Sequence, residues 1–290
     1  MFQGSIVALI TPFKNGKVDE EAYRALIEEQ IKDGTSAIVP CGTTGESATL
    51  SIEEHNRVID IAIDAVNKRV PVIAGTGGNS TVEAIELTAH AKKAGADATL
   101  QVTPYYNKPS QEGLYRHFKA IADAVALPQV LYNVPGRTGV NMLPETVARL
   151  AELPEVVAIK EASGNLAQMT DILSLAGDKI TLLSGDDNLI LPVLSIGGKG
   201  VISVVANIVP KDTADVIRIW LEGNIEQSME KYYKLYPLCR AMFFETNPVP
   251  VKTSLALMGK ISDELRMPMA PMSEANLEKL KTALRDYGLL

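Results

Sequence analysis

The sequence predicts a (β/α)8 barrel followed by a small helical region. Short apolar runs of strand length alternate eight times with stretches of helical length, at about 28 residues per unit, the usual size of this repeat. Polar or reactive residues follow most of the runs, as expected when many loops ring one mouth. In an open doubly wound sheet, the competing architecture, they would cluster at one crossover. We expect a catalytic barrel over residues 1–223 and a helical region over residues 224–290.

The predicted strands are apolar runs that each end at a turn. They cover residues 5–10, 37–41, 70–74, 98–103, 129–132, 156–160, 180–184 and 200–205. Capping boxes open two of the intervening helices, with Ser51 and Glu54 in the first and Ser80 and Glu83 in the second. Pro210 stands in the first turn of the last barrel helix, where its restricted backbone is favourable.

Composition restricts the class of protein. The chain is 46% hydrophobic, enough for a sizeable core, and no apolar run approaches the roughly 18 residues of a membrane helix. A net charge of −7 without a basic cluster disfavours nucleic acid. The first residues lack the basic segment of a secretion signal, so we expect a cytoplasmic protein that does not bind membranes. Cys41 and Cys239 have no metal or redox spacing and are interpreted as buried small hydrophobes.

Lys160 ends an apolar strand where the pattern changes to a turn. A lone lysine at a strand end is most often a solvated head group. Here a turn at Gly164 and Asn165 and then a helix follow, and such a βα unit directs the last strand residue to the carboxyl-terminal face of a parallel sheet. Burial among apolar neighbours would lower the pKa of the amine, which makes Lys160 the candidate nucleophile toward a carbonyl carbon.

An amine that works on a keto acid needs a proton shuttle and an anchor for the carboxylate. Tyr132, one strand earlier, is the candidate shuttle, and Thr43 and Tyr106 are candidates to extend the relay. Backbone N–H groups near Thr44 suit one small carboxylate, and Arg137 suits a second by bidentate pairing. For each tyrosine alone, a core or interface role is an equally good explanation. If the barrel closes, these residues converge at its mouth with Tyr105, Gly185 and Ile202.

Other candidate sites have simpler structural explanations. The glycine-rich loop at residues 75–79 lacks the third glycine of a dinucleotide motif and the lysine of a P-loop, so phosphate binding is disfavoured. Asp186 and Asp187 are interpreted as a pair at a helix amino terminus rather than a cation site. We expect no metal and no cofactor. The three histidines fall within predicted helices without ligand spacing: His55, His90 and His117.

Three motifs resemble signatures of the dihydrodipicolinate synthase (4-hydroxy-tetrahydrodipicolinate synthase) family, a branch of the pyruvate-dependent class I aldolases. They are residues 42–46 (Gly-Thr-Thr-Gly-Glu), 132–139 (Tyr-Asn-Val-Pro-Gly-Arg-Thr-Gly) and 159–164 (Ile-Lys-Glu-Ala-Ser-Gly), and similarity extends over the whole chain, including residues 247–252. The stretch around Arg137 is the more specific motif, because the family uses this arginine for the carboxylate of aspartate semialdehyde. Sialic acid lyases and keto-deoxy sugar acid aldolases usually differ there.

The resemblance implies that Lys160 forms an imine with pyruvate and that the enamine attacks L-aspartate 4-semialdehyde, on the diaminopimelate route to lysine. Tyr132, Thr43 and Tyr106 match the proton relay of the family, and Tyr106 typically reaches into the neighbouring subunit. The resemblance also implies a homotetramer built from two tight dimers.

Many members of the family are inhibited by L-lysine in a cleft between the subunits of the tight dimer. Ile52 stands where some sensitive members carry histidine, which leaves the strength of feedback open. Glu83 would serve its predicted capping box in either case. The residues that match this cleft are Ser47, Ala48, His55, Asn79, Glu83 and Tyr105.

Two other functions stay open from the sequence. The first is cleavage of sialic or keto-deoxy sugar acids by the same imine chemistry. The second is a non-catalytic barrel, descended from such enzymes, that binds a ligand or regulates. Comparing the turnover of aspartate semialdehyde with the turnover of those sugar acids tests the first alternative. Pyruvate binding without turnover of any aldehyde would favour the second.

Overall fold

The structure is a computed structural model that describes residues 2–290. Its strands are β1 (Gly4–Ala8), β2 (Phe13–Lys14), β3 (Lys17–Val18), β4 (Ala37–Val39), β5 (Ile73–Gly75), β6 (Ala98–Val102), β7 (Gln129–Asn133), β8 (Val156–Glu161), β9 (Thr181–Ser184) and β10 (Gly200–Ser203). Its helices are α1 (Glu20–Lys32), α2 (Ile52–Val66), α3 (Thr81–Ala94), α4 (Gln111–Ala124), α5 (Pro135–Thr138), α6 (Pro144–Leu150), α7 (Leu166–Ala176), α8 (Ile190–Ser195), α9 (Pro210–Leu221), α10 (Ile225–Ala241), α11 (Val249–Leu257) and α12 (Glu274–Tyr287).

Eight of the strands form a closed parallel barrel. Their hydrogen-bonded order is β4, β1, β10, β9, β8, β7, β6, β5, and a parallel bridge between Ile38 and Val72 joins the two ends. The Ile38 N–H donates to the Pro71 carbonyl at 3.0 Å in this bridge. The predicted (β/α)8 barrel is confirmed, because an open doubly wound sheet would leave both edge strands unpaired. The remaining strands, β2 and β3, form a short antiparallel hairpin before α1.

Several strands end earlier than predicted. β1 ends at Ala8 rather than at residue 10, β4 at Val39 rather than at residue 41, and β10 at Ser203 rather than at residue 205. Apolar pattern overestimates strand length here because the loops at the mouth are themselves buried. The buried residues just beyond these strand ends are Leu9, Ile10, Cys41, Val204 and Val205.

The helix starts follow the predicted signals with one exception. At α2 the capping box is complete, since Ser51 Oγ accepts from the Glu54 N–H and the Glu54 carboxylate accepts from the Ser51 N–H. At α3 only half of it forms: Ser80 Oγ accepts from the Glu83 N–H at 3.4 Å, and no bond returns from the Glu83 carboxylate. The second capping box is therefore wrong in its reciprocal half, and this leaves the Glu83 carboxylate free for the cavity described below.

The barrel interior and the space between barrel and helices form separate apolar layers. Interior side chains come from alternate strand positions, as the twofold strand period requires. They include Ile6, Val39, Leu100, Val130, Tyr132, Leu183 and Ile202. Both cysteines are buried and free, which confirms their interpretation as small hydrophobes.

The carboxyl-terminal helices share an apolar core with the barrel helices. Leu235 and Leu238 of α10 and Leu280 of α12 belong to the same buried cluster as Val216 and Ile217 of α9. The division at residue 223 stays a prediction. None of the helices within residues 2–290 combines the length and hydrophobicity needed to span a bilayer.

Candidate active site

Lys160 lies at the carboxyl end of β8 and points into the barrel. It pairs in register with Tyr132 on β7, and its Nζ lies 4.3 Å from the centroid of the Tyr132 ring. Only 5% of the residue is exposed, so the simple interpretation of a solvated head group is wrong. None of the ion pairs within residues 2–290 involves Lys160.

Burial lowers the pKa of the Lys160 amine to about 8, and the positive charge of Arg137 acts in the same direction. The carboxylates of Asp186 and Asp187 oppose this shift. At pH 7.5 about a quarter of the molecules would then carry a neutral amine, compared with about one in a thousand at the ordinary pKa of lysine. The neutral amine is the form that attacks a carbonyl carbon.

Gly185 and Ile202 shape the space around the amine. A Cβ on Gly185, just after β9, would lie 2.6 Å from Ala162 Cβ and 3.2 Å from Lys160 Cε, so a larger residue would displace the lysine. Ile202 on β10 is completely buried in the barrel interior. The structure therefore brings both predicted residues to the site, as packing groups.

Tyr132 is placed to hold and pass a proton. Burial raises the pKa of its hydroxyl to about 12, while Arg137 and the neighbouring Thr43 hydroxyl oppose the shift. The phenol is therefore protonated at neutral pH and can donate a hydrogen bond. Because Tyr132 faces Lys160 on one side and Thr43 on the other, the structure brings together three of the four predicted catalytic groups.

The loop after β4 presents backbone donors to the same space. Its own turn uses the N–H groups of Gly45 and Glu46, which donate to the carbonyls of Gly42 and Thr43 at 3.0 and 3.1 Å. The N–H groups of Thr43 and Thr44 donate to no acceptor in the described part of the chain. Two adjacent unpaired N–H groups suit a small carboxylate.

Arg137 lies in α5, at the rim of the mouth. Its Nη2 donates to the carbonyl oxygen of Asn247 at 3.2 Å, and the Nδ2 of the same asparagine donates to Thr44 Oγ1 at 3.0 Å. Asn247 thus links the two predicted carboxylate-binding elements. It comes from the helical region, more than one hundred residues away in sequence, and only its motif resemblance pointed to it.

Tyr106 is the predicted catalytic residue that does not join the site of its own chain. It is 89% exposed, and its backbone is left-handed, with φ of 73°. Its side chain does not line the cavity beside Thr43 and Arg137. The expected convergence is therefore wrong for Tyr106 within a single chain.

A cavity of about 380 Å³ extends from Thr43 and Arg137 along the face of α2 and α3. Ile52 also lines it. Asn79 lies beside it, because its Nδ2 donates to the Tyr105 carbonyl at 3.2 Å. The structure thus brings together the predicted lysine-cleft residues, with Ser47, Ala48, His55, Glu83 and Tyr105 on the cavity wall.

The aspartate pair lies at a helix amino terminus, as predicted, but its side chains do not cap that helix. Asp186 precedes a short 3-10 helix (Asp187–Leu189) without capping it through its side chain. Asp187 is buried, and its Oδ2 accepts from the N–H groups of Val204 and Val205 at 3.0 and 2.8 Å, holding the backbone after β10. Burial raises the pKa of Asp186 to about 6, and its charge in turn acts on Lys160.

Two glycines of the 75–79 loop are explained by backbone packing. A Cβ on Gly75 would lie 2.2 Å from the Cys41 carbonyl oxygen, and one on Gly77 would lie 2.2 Å from the Val102 nitrogen. These glycines of the 75–79 loop therefore allow close approach of backbones. Among residues 2–290, no cluster of three or more His, Cys, Asp or Glu side chains is arranged to hold a metal ion.

Glu161 is a supporting residue that the sequence did not single out. It follows Lys160 on β8 and faces away from the barrel interior, where it is completely buried. Its carboxylate accepts from the Ser163 N–H at 2.7 Å and from Asn133 Nδ2 at 3.0 Å. These bonds tie the ends of β7 and β8 together, directly behind Tyr132 and Lys160.

The chain is similar over its full length to known proteins. The chain is 63% identical, over the full length of both proteins, to the 4-hydroxy-tetrahydrodipicolinate synthase of Geobacter sp. (strain M21). It is 48% identical to a solved dihydrodipicolinate synthase from Acinetobacter baumannii complexed with pyruvate, with all of both chains covered and a TM-score of 0.98. It is 43% identical to the enzyme from Cyanidioschyzon merolae with lysine bound, with 100% and 99% of the chains covered and a TM-score of 0.97.

The model of the dihydrodipicolinate synthetase family matches residues 1–287. This match spans the barrel and the helical region alike, as the resemblance of the three motifs and of residues 247–252 leads one to expect. The expected resemblance is thereby confirmed, and the chain belongs to the dihydrodipicolinate synthetase family.

Proposed function

We propose that this chain condenses pyruvate with L-aspartate 4-semialdehyde through an imine at Lys160, as a 4-hydroxy-tetrahydrodipicolinate synthase of lysine biosynthesis. Membership of the family makes it a lyase of the class I aldolase type. The observation that carries the residue assignment is the buried amine of Lys160, without an ion-pair partner in the described chain and beside the ring of Tyr132. The proposed location is the cytoplasm, and no nucleic acid or membrane partner is invoked.

In the first half of the reaction, the neutral Lys160 amine attacks the keto carbon of pyruvate. The carbinolamine that forms must gain a proton on its hydroxyl, lose water and become an imine. Tyr132 supplies and takes back this proton, since its hydroxyl stays protonated at neutral pH and its ring lies beside the amine. The unpaired N–H groups of Thr43 and Thr44 hold the pyruvate carboxylate during these steps.

In the second half, loss of a methyl proton converts the imine to an enamine, whose carbon attacks the aldehyde of the second substrate. Arg137 binds the carboxylate of that substrate by bidentate pairing. The amino group of the condensed product then attacks the imine carbon and expels Lys160, which releases the cyclic product and restores the free amine. The relay of Tyr132 and Thr43 returns protons to the aldehyde oxygen and the leaving amine.

Borohydride reduction tests the imine. Pyruvate plus borohydride should add an irreversible mass of one reduced pyruvate unit to the peptide containing Lys160. Lys160→Ala should lose both the adduct and nearly all turnover. An unmodified protein after treatment with saturating pyruvate would overturn the assignment of Lys160.

Steady-state kinetics test the second substrate. Arg137→Ala should raise the KM for aspartate semialdehyde by about 100-fold, because a charge-assisted bidentate pair contributes about 3 kcal/mol. Arg116→Ala, on the exposed face of α4, is the matched control and should leave this KM unchanged. Faster turnover of sialic or keto-deoxy sugar acids than of aspartate semialdehyde would assign the barrel to those substrates instead.

We also propose a homotetramer of two tight dimers in which Tyr106 completes the relay of the neighbouring subunit. The support is its exposed, left-handed position outside its own site. Mixing subunits of Tyr106→Phe and Lys160→Ala should restore activity that neither variant has alone, since one of the two mixed sites would then contain both intact residues. An active monomer by light scattering, or no restoration after verified subunit exchange, would exclude this arrangement.

The cavity beside α2 and α3 is the proposed site for feedback by L-lysine. Its exposed Glu83 carboxylate suits the lysine side-chain ammonium, and the relative from Cyanidioschyzon merolae has lysine bound. Calorimetric titration with L-lysine should show weaker binding for Glu83→Gln than for Glu86→Gln, a control on the outer face of the same helix. Ile52→His should strengthen binding. Equal affinity of all variants would place the effector elsewhere.

A further inference from the structure

Residues 247–252, just before and within α11, contact two loops of the barrel mouth. Asn247 bonds to Thr44 and accepts from Arg137, as described above. Five residues later, Lys252 Nζ lies 2.5 Å from Glu46 Oε1, at the end of the loop that carries Thr43 and Thr44. One short segment of the helical region therefore reaches both loops that the proposed mechanism uses.

The ion pair between Glu46 and Lys252 is sealed from solvent. The exposed fractions of the two side chains are 3% and 1%. Glu46 Oε2 accepts from the Arg266 N–H at 3.0 Å, and Lys252 Nζ lies 4.2 Å from the centroid of the Phe13 ring. A buried pair of this kind rarely stabilises a fold more than apolar replacements would, so its use is better explained by the geometry that it holds.

The loop that Glu46 ends does not have an intrinsically favourable backbone. Cys41 and Glu46 both have φ of 54°, in the left-handed region that disfavours residues with a Cβ. Thr43 and Thr44 lie between these two residues. Such a loop keeps its conformation only where surrounding contacts over-determine it, and the carboxylate of Glu46 is its link to α11.

We propose that Lys252 is a positioning residue for the reaction: its ion pair with Glu46 holds the loop so that Thr43 meets Tyr132 and the N–H groups of Thr43 and Thr44 face the substrate. This inference rests on the proposed function, because the roles of Thr43 and Thr44 belong to it. Lys252 itself does not touch the reacting atoms. Its loss should therefore impair proton transfer and pyruvate binding while Lys160 keeps its chemistry.

The test is a set of three variants of the full chain. Lys252→Met removes one charge, and Glu46→Gln combined with Lys252→Met removes both and leaves no buried charge unpaired. Lys260→Met is the matched control. Lys260 belongs to the same helical region as Lys252, is partly exposed and pairs with Glu29 of α1, away from the loop. For each variant, kcat, the KM of both substrates, borohydride trapping at saturating pyruvate and the melting temperature are measured.

We expect kcat to fall about 10- to 100-fold in Lys252→Met and in the double variant, the size of effect expected from a small misplacement of a catalytic group. The KM for pyruvate should rise more than the KM for the aldehyde, and trapping at Lys160 should persist. Lys260→Met should keep kcat within about twofold. If Lys252→Met fails to fold, the double variant decides the question.

A kcat within twofold of the unchanged chain in the folded double variant would overturn the positioning role, as would an equal loss in Lys260→Met. These results would leave the proposed function intact if trapping at Lys160 is observed. Absence of trapping in the unchanged chain would instead overturn the proposed function. The two failures are therefore distinguished by the same set of measurements.

Discussion

Two lysines are buried near the mouth of the barrel in similar surroundings, yet they differ in one respect. The Nζ of Lys160 lies 4.3 Å from the centroid of the Tyr132 ring, and the Nζ of Lys252 lies 4.2 Å from that of the Phe13 ring. Lys252 forms a direct ion pair with Glu46. Lys160 has no such pair in the described chain, and its pKa is lowered to about 8 by burial.

The comparison teaches that burial alone does not make a lysine reactive. Burial lowers the pKa of both amines, Lys252 included. At Lys252 the adjacent carboxylate of Glu46 opposes this shift and accepts a hydrogen bond from the Nζ. Asp186 and Asp187 act on Lys160 through their charges without forming an ion pair with it, so Lys160 can release its proton to become a nucleophile. The pairing partner, and not the depth of burial, separates the structural amine from the catalytic one.

The largest expected contrast is in the free energy of unfolding at pH 7. Lys252→Met should lower it by about 3–5 kcal/mol, because Glu46 is left as a buried, uncompensated charge. Lys160→Met should raise it by about 1–3 kcal/mol, because a desolvated amine is replaced by an apolar side chain of similar length. Chemical denaturation measures both values. Similar destabilisation by the two substitutions would remove the distinction between the lysines.

The gain in unfolding free energy expected for Lys160→Met should depend on pH. The pKa of Lys160 is lowered by folding, so between about pH 8 and the ordinary lysine value the unfolded chain binds more protons than the folded one. Stability contributed at this residue therefore rises with pH across that window. The gain from Lys160→Met should shrink from pH 8 to pH 10, whereas a pH-independent gain would contradict the assigned pKa.

Substitutions of the two aromatic residues should affect kcat and the unfolding free energy separately. Tyr132→Phe keeps the ring beside Lys160 and removes the hydroxyl, and it should lower kcat about 100-fold with little loss of stability. Phe13→Leu removes the ring beside Lys252 and should lower the unfolding free energy by about 1–2 kcal/mol while kcat changes less than about threefold. Turnover assays and denaturation curves on both variants provide the check. A Tyr132→Phe protein with full activity would exclude Tyr132 as the proton shuttle.

The smallest expected effect concerns Asp186. Its carboxylate raises the pKa of Lys160, so Asp186→Asn should lower that pKa further. The rate of imine formation with pyruvate, followed by borohydride quenching across pH 6–9, should then rise at lower pH than in the unchanged chain. Asp123→Asn, on the exposed face of α4, is the control. A shift in the opposite direction would mean that Asp186 does not act through its charge.

Local pattern predicted the elements well and their ends less well. The complete capping box at Ser51 was predictable because both of its bonds lie within four residues. The half-formed box at Ser80 was not, since the side chain of Glu83 lies at a cavity that other elements build. The strand ends at Ala8 and Val39 were missed for a related reason: loops buried by neighbouring elements carry the same apolar residues as strands.

The sequence by itself determined the repeating barrel, the lysine at a strand end and the motifs that mark the family, because these depend on periodicity and residue type over short spans. Only the tertiary structure decided which charges are paired. Glu46 and Lys252 are separated by more than two hundred residues, and nothing local indicates that each neutralises the other while Lys160 has no direct partner. The physical reason is that desolvation and Coulomb energy depend on distances in space, which chain closure into the barrel sets.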